Sequence, residues 1–177
     1  MLSNNITIEE IIAVFRSLNS NKAFGPDGLP PGLFKIKSCQ EMIAAFCLPL
    51  FRQSFACMTE PIQFKGGVIM DLLKSAGFFL DCNASRGILL SNILGKTYRK
   101  IIRKRTMPYL ESVSLDTMCG GLLHRGCDSA SHILNSTLDL RRMRKSSVLC
   151  LFVDVVAAFD SVMHSFIVDL ELSDEST

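Results

Sequence analysis

The chain has 177 residues, enough for one domain with a sizeable hydrophobic core. Hydrophobic residues make up 48% and charged residues 20%, which excludes an intrinsically disordered chain. The formal net charge of +2 is too small to argue for a nucleic-acid partner by itself, so the distribution of charge carries more information than its sum.

In chain order, Thr7-Ile8-Glu9-Glu10 reads as a capping box, with Thr7 as N-cap and Glu10 reaching back to it. Ile8, Ile11, Ile12, Phe15 and Leu18 follow at helical spacing, so an amphipathic helix is expected that fades near Asn19. Residues 21–31 hold two Gly and three Pro and read as a stiff, irregular loop, which need be no more than a connector. A short helix is expected from Gly32 to Ile36, and a longer buried one from Gln40 to Phe55, bent at Pro49. Val68-Ile69-Met70 and the stretch Ser85 to Ser91 read as strands of an antiparallel hairpin bearing Lys74 and Arg86, with a turn over 74–82.

Asn92 to Arg105 reads as a strong helix. Ile93, Leu94, Thr97, Tyr98, Ile101 and Ile102 form its inner stripe, while Lys96, Arg99, Lys100, Arg103, Lys104 and Arg105 crowd the rest. A charge run is usually a solvated face, but no acidic residue falls within this one to offset it, which leaves a polyanion partner open as the alternative. Gly95-Lys96-Thr97 is similar to the end of a nucleotide-binding P-loop, but Leu90 stands where the earlier Gly is needed, so that reading fails. Met118 to Asp128 reads as a Gly-containing loop and Ser129 to Arg144 as a helix, with Ile133, Leu134, Thr137, Leu138 and Leu140 mostly inward. Arg141, Arg142, Arg144 and Lys145 make a second basic cluster.

Val148 to Val153 is a continuous apolar run of β-formers, expected to be a strand buried on both faces, and Asp154 ends it. A carboxylate at the tip of a buried strand either holds a metal ion or simply starts a turn. A short helix is expected over 158–170 and a polar tail over 171–177, so that 1–170 is taken as one domain.

None of the seven Cys forms a C-x-x-C pair, and the odd count and apolar settings suggest reduced, buried thiols. Cys119, His124 and Cys127 lack a fourth ligand and a finger-like spacing, so zinc is not expected there. No run approaches the ~18 apolar residues of a membrane span, and the N-terminal residues lack the pattern of a secretory signal. The expected location is intracellular, cytoplasmic or nuclear.

The order of motifs resembles the reverse transcriptase domain of non-LTR (LINE-type) retrotransposons. Lys22-Ala23-Phe24-Gly25-Pro26-Asp27-Gly28 is similar to that family's Lys-Ala-Pro-Gly-Pro-Asp-Gly signature. Ser85-Arg86-Gly87-Ile88-Leu89-Leu90, followed by Gly95-Lys96 and the basic helix, looks like its second fingers motif. Phe152-Val153-Asp154 with Ala158-Phe159-Asp160-Ser161-Val162 looks like its motif A. The likeness covers about residues 5 to 168. It implies an α+β fold: a partial right-hand polymerase with helical fingers, a β-hairpin and the first strand of an incomplete palm. It also implies RNA-directed DNA polymerisation on an RNA template and a DNA primer with deoxynucleotides and Mg2+. In these terms Asp154 would be the catalytic residue and magnesium ligand, and Lys74 and Arg86 would hold the triphosphate. Phe159 would exclude a ribose 2′-hydroxyl, with Ala157 and Ala158 beside it at the deoxynucleotide. Lys96, Arg99, Lys100, Arg103 and Lys104 would grip nucleic-acid phosphates without reading sequence.

Phe24 stands where the family usually has Pro, and Met118 where it usually has Gln. The family's motif B and Ala-Asp-Asp hairpin do not follow motif A in this sequence. A lone Asp cannot hold two magnesium ions, Asp160 reads as a helix cap, and Asp169, Glu171, Asp174 and Glu175 sit in the wrong motif context. The expectation is therefore a truncated copy or a mispredicted fragment of a longer gene, inactive alone and poorly soluble. The alternative is a non-catalytic RNA- or DNA-binding remnant using the helix 92–105. A phosphatase with an aspartate nucleophile would need a second Asp where Val156 stands.

Overall fold

The computed structural model describes residues 5–73, 85–155, 158, 161–163 and 165. They belong to two compact units that divide between Arg125 and Gly126. The class is mixed α+β, as expected, with five α-helices and one two-stranded antiparallel sheet among the described residues.

The first unit opens with α1, Ile8–Arg16, which the sequence starts with its own cap. The Glu10 amide donates to Thr7 Oγ1 at 3.3 Å and the Thr7 amide donates to Glu10 Oε2 at 2.9 Å, so both halves of the capping box form. Ile11, Val14 and Phe15 face inward. A 3-10 turn, Pro31–Lys35, follows the Gly- and Pro-rich loop; the fixed φ of Pro31 suits its first position. Then comes α2, Lys37–Ala56, which runs on through Pro49. A short α3, Ile62–Lys65, leads into β1, Gly67–Leu73, which pairs with β2, Ser85–Ser91, in the register Gly67 opposite Ser91 and Leu73 opposite Ser85.

Helix α4, Ile93–Val113, is longer than its apolar periodicity indicates, because it continues through Pro108. A mid-helix Pro forfeits one backbone hydrogen bond, but buried Met107 anchors the turn just before it. The expected inner stripe is confirmed: Ile93, Thr97, Tyr98 and Ile101 are buried, and Leu94 and Ile102 pack against them.

The core lies between α1, α2, α3 and α4. Its centre is aromatic: Phe51 meets Phe64 at 6.0 Å and Tyr98 at 5.6 Å edge-on, and Phe15 meets Phe34 at 5.0 Å. Buried Gln40 is satisfied, donating to the Phe34 carbonyl and accepting from Arg16 Nε. The hairpin, by contrast, is thinly covered. Val68, Ile69, Met70, Leu72, Ile88 and Leu89 are all exposed.

The second unit contains α5, Cys127–Met143, and here two expectations are corrected. The stripe Ile133, Leu134, Thr137, Leu138 and Leu140 is not an inner face among the described residues: Leu134 and Leu138 are half-buried and the others exposed. The run 148–153 is not a strand, and Leu149, Leu151, Phe152 and Val153 are 79% exposed or more. A strand exists only with a hydrogen-bonded neighbour, and among the described residues only β1 and β2 pair. The expectation of buried thiols is corrected too. Of the described cysteines, all unpaired, Cys47 is buried while Cys57, Cys127 and Cys150 are exposed.

Candidate functional site

Five of the expected contact residues come together. Lys96, Arg99, Lys100, Arg103 and Lys104 fall at positions i, i+3, i+4, i+7 and i+8 of α4, which share one face of a helix. They line an open cleft of about 690 Å³, with Ser91 at its head and Met107 and Leu123 supplying apolar surface. The apolar stripe on the opposite side of α4 is held in the core, so this basic face is presented outward by the same periodicity that buries Tyr98 and Ile101.

The charge on this face is less complete than the sequence run indicates. Arg99 Nη2 lies 2.8 Å from Glu60 Oε2 and also donates to the Phe64 carbonyl at 2.7 Å. Arg105 lies off the cleft, with Nη2 2.7 Å from Glu10 Oε2 and its guanidinium 5.1 Å from the centre of the Phe55 ring. Arg105 in turn holds the Glu10 carboxyl below its usual 4.5, through their hydrogen bond first and the Thr7 backbone amide besides. Two of the cations are thus offset by carboxylates distant in sequence. Among the described residues Lys100 and Arg103 reach only backbone carbonyls, those of Ser17 and Gly121. A backbone carbonyl orients a cation without cancelling its charge, so Lys100 and Arg103, with Lys96, keep the cleft positive, while the charge of Lys104 also acts on the nearby Glu10 carboxyl.

Asp27, Asn92 and Gly25 form a joint that sequence reasoning missed. The Ile93 amide, at the start of α4, donates to Asp27 Oδ2 at 2.8 Å, and the Asp27 amide donates to Asn92 Oδ1 at 3.2 Å. Asn92 also donates from Nδ2 to the Gln63 carbonyl at 3.1 Å. An aspartate from a distant loop therefore caps the basic helix. Gly25 is there because nothing larger fits: a Cβ at that position would lie 2.5 Å from the Ser91 carbonyl oxygen. The loop read as a connector is a clamp. The one sequence signal was the Pro-Asp-Gly turn, which places Asp27 but does not name a partner 66 residues on.

The remaining expected residues do not assemble among the described residues. Arg86 is exposed on β2 opposite Leu72. Asp154 is exposed in a stretch without secondary structure in the second unit, and Ala158 is exposed in a turn where its carbonyl accepts from Ser161 Oγ. Lys74, Ala157, Phe159 and Asp160 lie outside the described residues. The magnesium that the family likeness implies has no gathered ligand set among the described residues. No group of three or more His, Cys, Asp or Glu is gathered among the described residues, and an exposed lone carboxylate does not make a two-metal centre. No helix among the described residues is long and apolar enough to cross a membrane. No protein-family model and no curated protein matches this sequence.

Proposed function

We propose that this chain is the fingers-bearing segment of an RNA-directed DNA polymerase of the non-LTR retrotransposon type, and that its own residues hold nucleic-acid backbone. The observation that carries the reading is the outward face of α4, where Lys96, Lys100, Arg103 and Lys104 line one cleft without a carboxylate bound to them among the described residues. Cations spaced one helical turn apart meet successive phosphates and release their counterions, which gives affinity without sequence readout. The order of the three motifs supports the polymerase lineage, and the mixed α+β class is compatible with it.

Chemistry is a separate matter. Phosphoryl transfer depends on positioned metal ions, and those need several carboxylates around the attacking and leaving oxygens. Asp154 is one such ligand by resemblance and lacks companions among the described residues. The 177-residue chain is therefore expected to bind RNA and not to copy it. A primer-extension assay with magnesium and deoxynucleotides tests this: we expect no product above background. Robust synthesis that disappears in Asp154→Ala would overturn the binding-only role.

A further inference from the structure

The stretch Lys22 to Gly28 carries a signature that the basic cleft leaves unused. Three contacts fix it to the start of α4: Ile93 N–H to Asp27, Asp27 N–H to Asn92, and the tight seat of Gly25 against Ser91. Beside this joint lies a second cavity of about 320 Å³, near the lower bound for small-ligand pockets. Leu18, Pro31, Leu90 and Ile93 give it apolar walls, and Lys22 and Lys96 are its two cations. Lys96 also lines the basic cleft, so the two cavities share that residue. Neither ammonium group has a hydrogen-bond or ion-pair partner among the described residues.

Two unpaired cations lining one cavity repel each other until an anion comes between them. A phosphodiester suits the place. It has two free oxygens, one for each lysine, and a sugar that can lie against apolar walls. We propose that Lys22 is a further phosphate-binding residue of the α4 surface, and that Asp27 is the positioning residue that holds its loop against the helix. The inference rests on the reading of α4 as a nucleic-acid face. It extends the bound strand past Lys96, beyond the first turn of the helix.

Asp27 offers a test by sign. Removing a carboxylate near bound phosphates tightens binding on charge grounds alone, whereas loss of the clamp loosens it. The measurement is fluorescence anisotropy of a labelled single-stranded oligoribonucleotide on the full chain across a salt series. Lys22→Gln is expected to weaken binding about threefold to fivefold and to lower the slope of log K against log salt by about 0.7. Asp27→Ala is expected to weaken binding similarly. Asp27→Asn, which removes the charge but keeps an oxygen for the Ile93 amide, is expected to bind at least as tightly as the unaltered chain. An unchanged slope for Lys22→Gln, or tighter binding by Asp27→Ala, overturns this inference while a loss in Arg103→Gln/Lys104→Gln leaves the α4 reading standing. No binding by the unaltered chain overturns both. If Asp27→Ala does not fold, Lys22→Gln and Asp27→Asn decide between them.

Discussion

Gly25 and Gly28 lie three residues apart in one loop and are glycine for different reasons. Gly25 has no room for a Cβ, while Gly28 has open space but a φ of +66°, where L side chains are strained. Gly25→Ala must displace backbone and is expected to cost about 3 kcal/mol; Gly28→Ala is expected to cost about 1 kcal/mol. Urea denaturation of the full chain measures both, and the reverse order would contradict the close approach seen at Ser91. Glu10 makes a pH-dependent case. Its folded carboxyl titrates below the usual 4.5, so the stability it contributes is present above that value and is lost as pH falls through the depressed one. Because Glu10 is a third exposed, the pair with Arg105 is worth about 1 kcal/mol at neutral pH. Glu10→Gln is expected to remove that increment at pH 7 and to cost progressively less as pH falls through the depressed titration of Glu10. A loss that stays the same across the acid range would mean that the carboxylate charge is not what matters.

At the scale of elements, what was legible in the sequence was what repeats locally. The Thr7 to Glu10 box, the stripe of α1, the antiparallel pairing of β1 with β2 and the inner face of α4 all follow from period and neighbours. The ion pairs that discharge part of the basic helix were not legible. Glu60 sits 39 residues before Arg99 and Glu10 sits 95 before Arg105, and nothing local marks either as a partner. The same holds for the Asp27 cap. The run 148–153 fails for the complementary reason: its residues favour a strand, but a ladder takes two. Backbone amides over 148–153 are therefore expected to exchange with solvent about as fast as an unstructured peptide, while those of β1 and β2 are slower. Protection of 148–153 equal to that of the hairpin would contradict this. The exposed Leu149, Leu151 and Phe152 also make this stretch the expected site of self-association. Leu151→Lys should raise solubility without changing the helical circular dichroism, and no gain in solubility would place the association elsewhere.

For the whole molecule, the parts differ in what they are equipped to do. The first unit has a packed aromatic core, and the surface it supports is a basic helix whose N-terminus is capped by a distant aspartate and seated on a glycine. The second unit contains Asp154 and little buried apolar surface among its described residues. On the function proposed above, binding would belong to α4 and would need no metal. The direct test is the salt dependence of single-stranded RNA binding by the full chain, compared between two triple variants of equal charge. One is Lys96→Gln/Arg103→Gln/Lys104→Gln on α4, and the other is Arg142→Gln/Arg144→Gln/Lys145→Gln beyond it. The account predicts linear loss of log K with log salt, with a slope smaller by about 2 in the α4 variant and unchanged in the other. Equal slopes in the two variants, or no salt dependence at all, would contradict it.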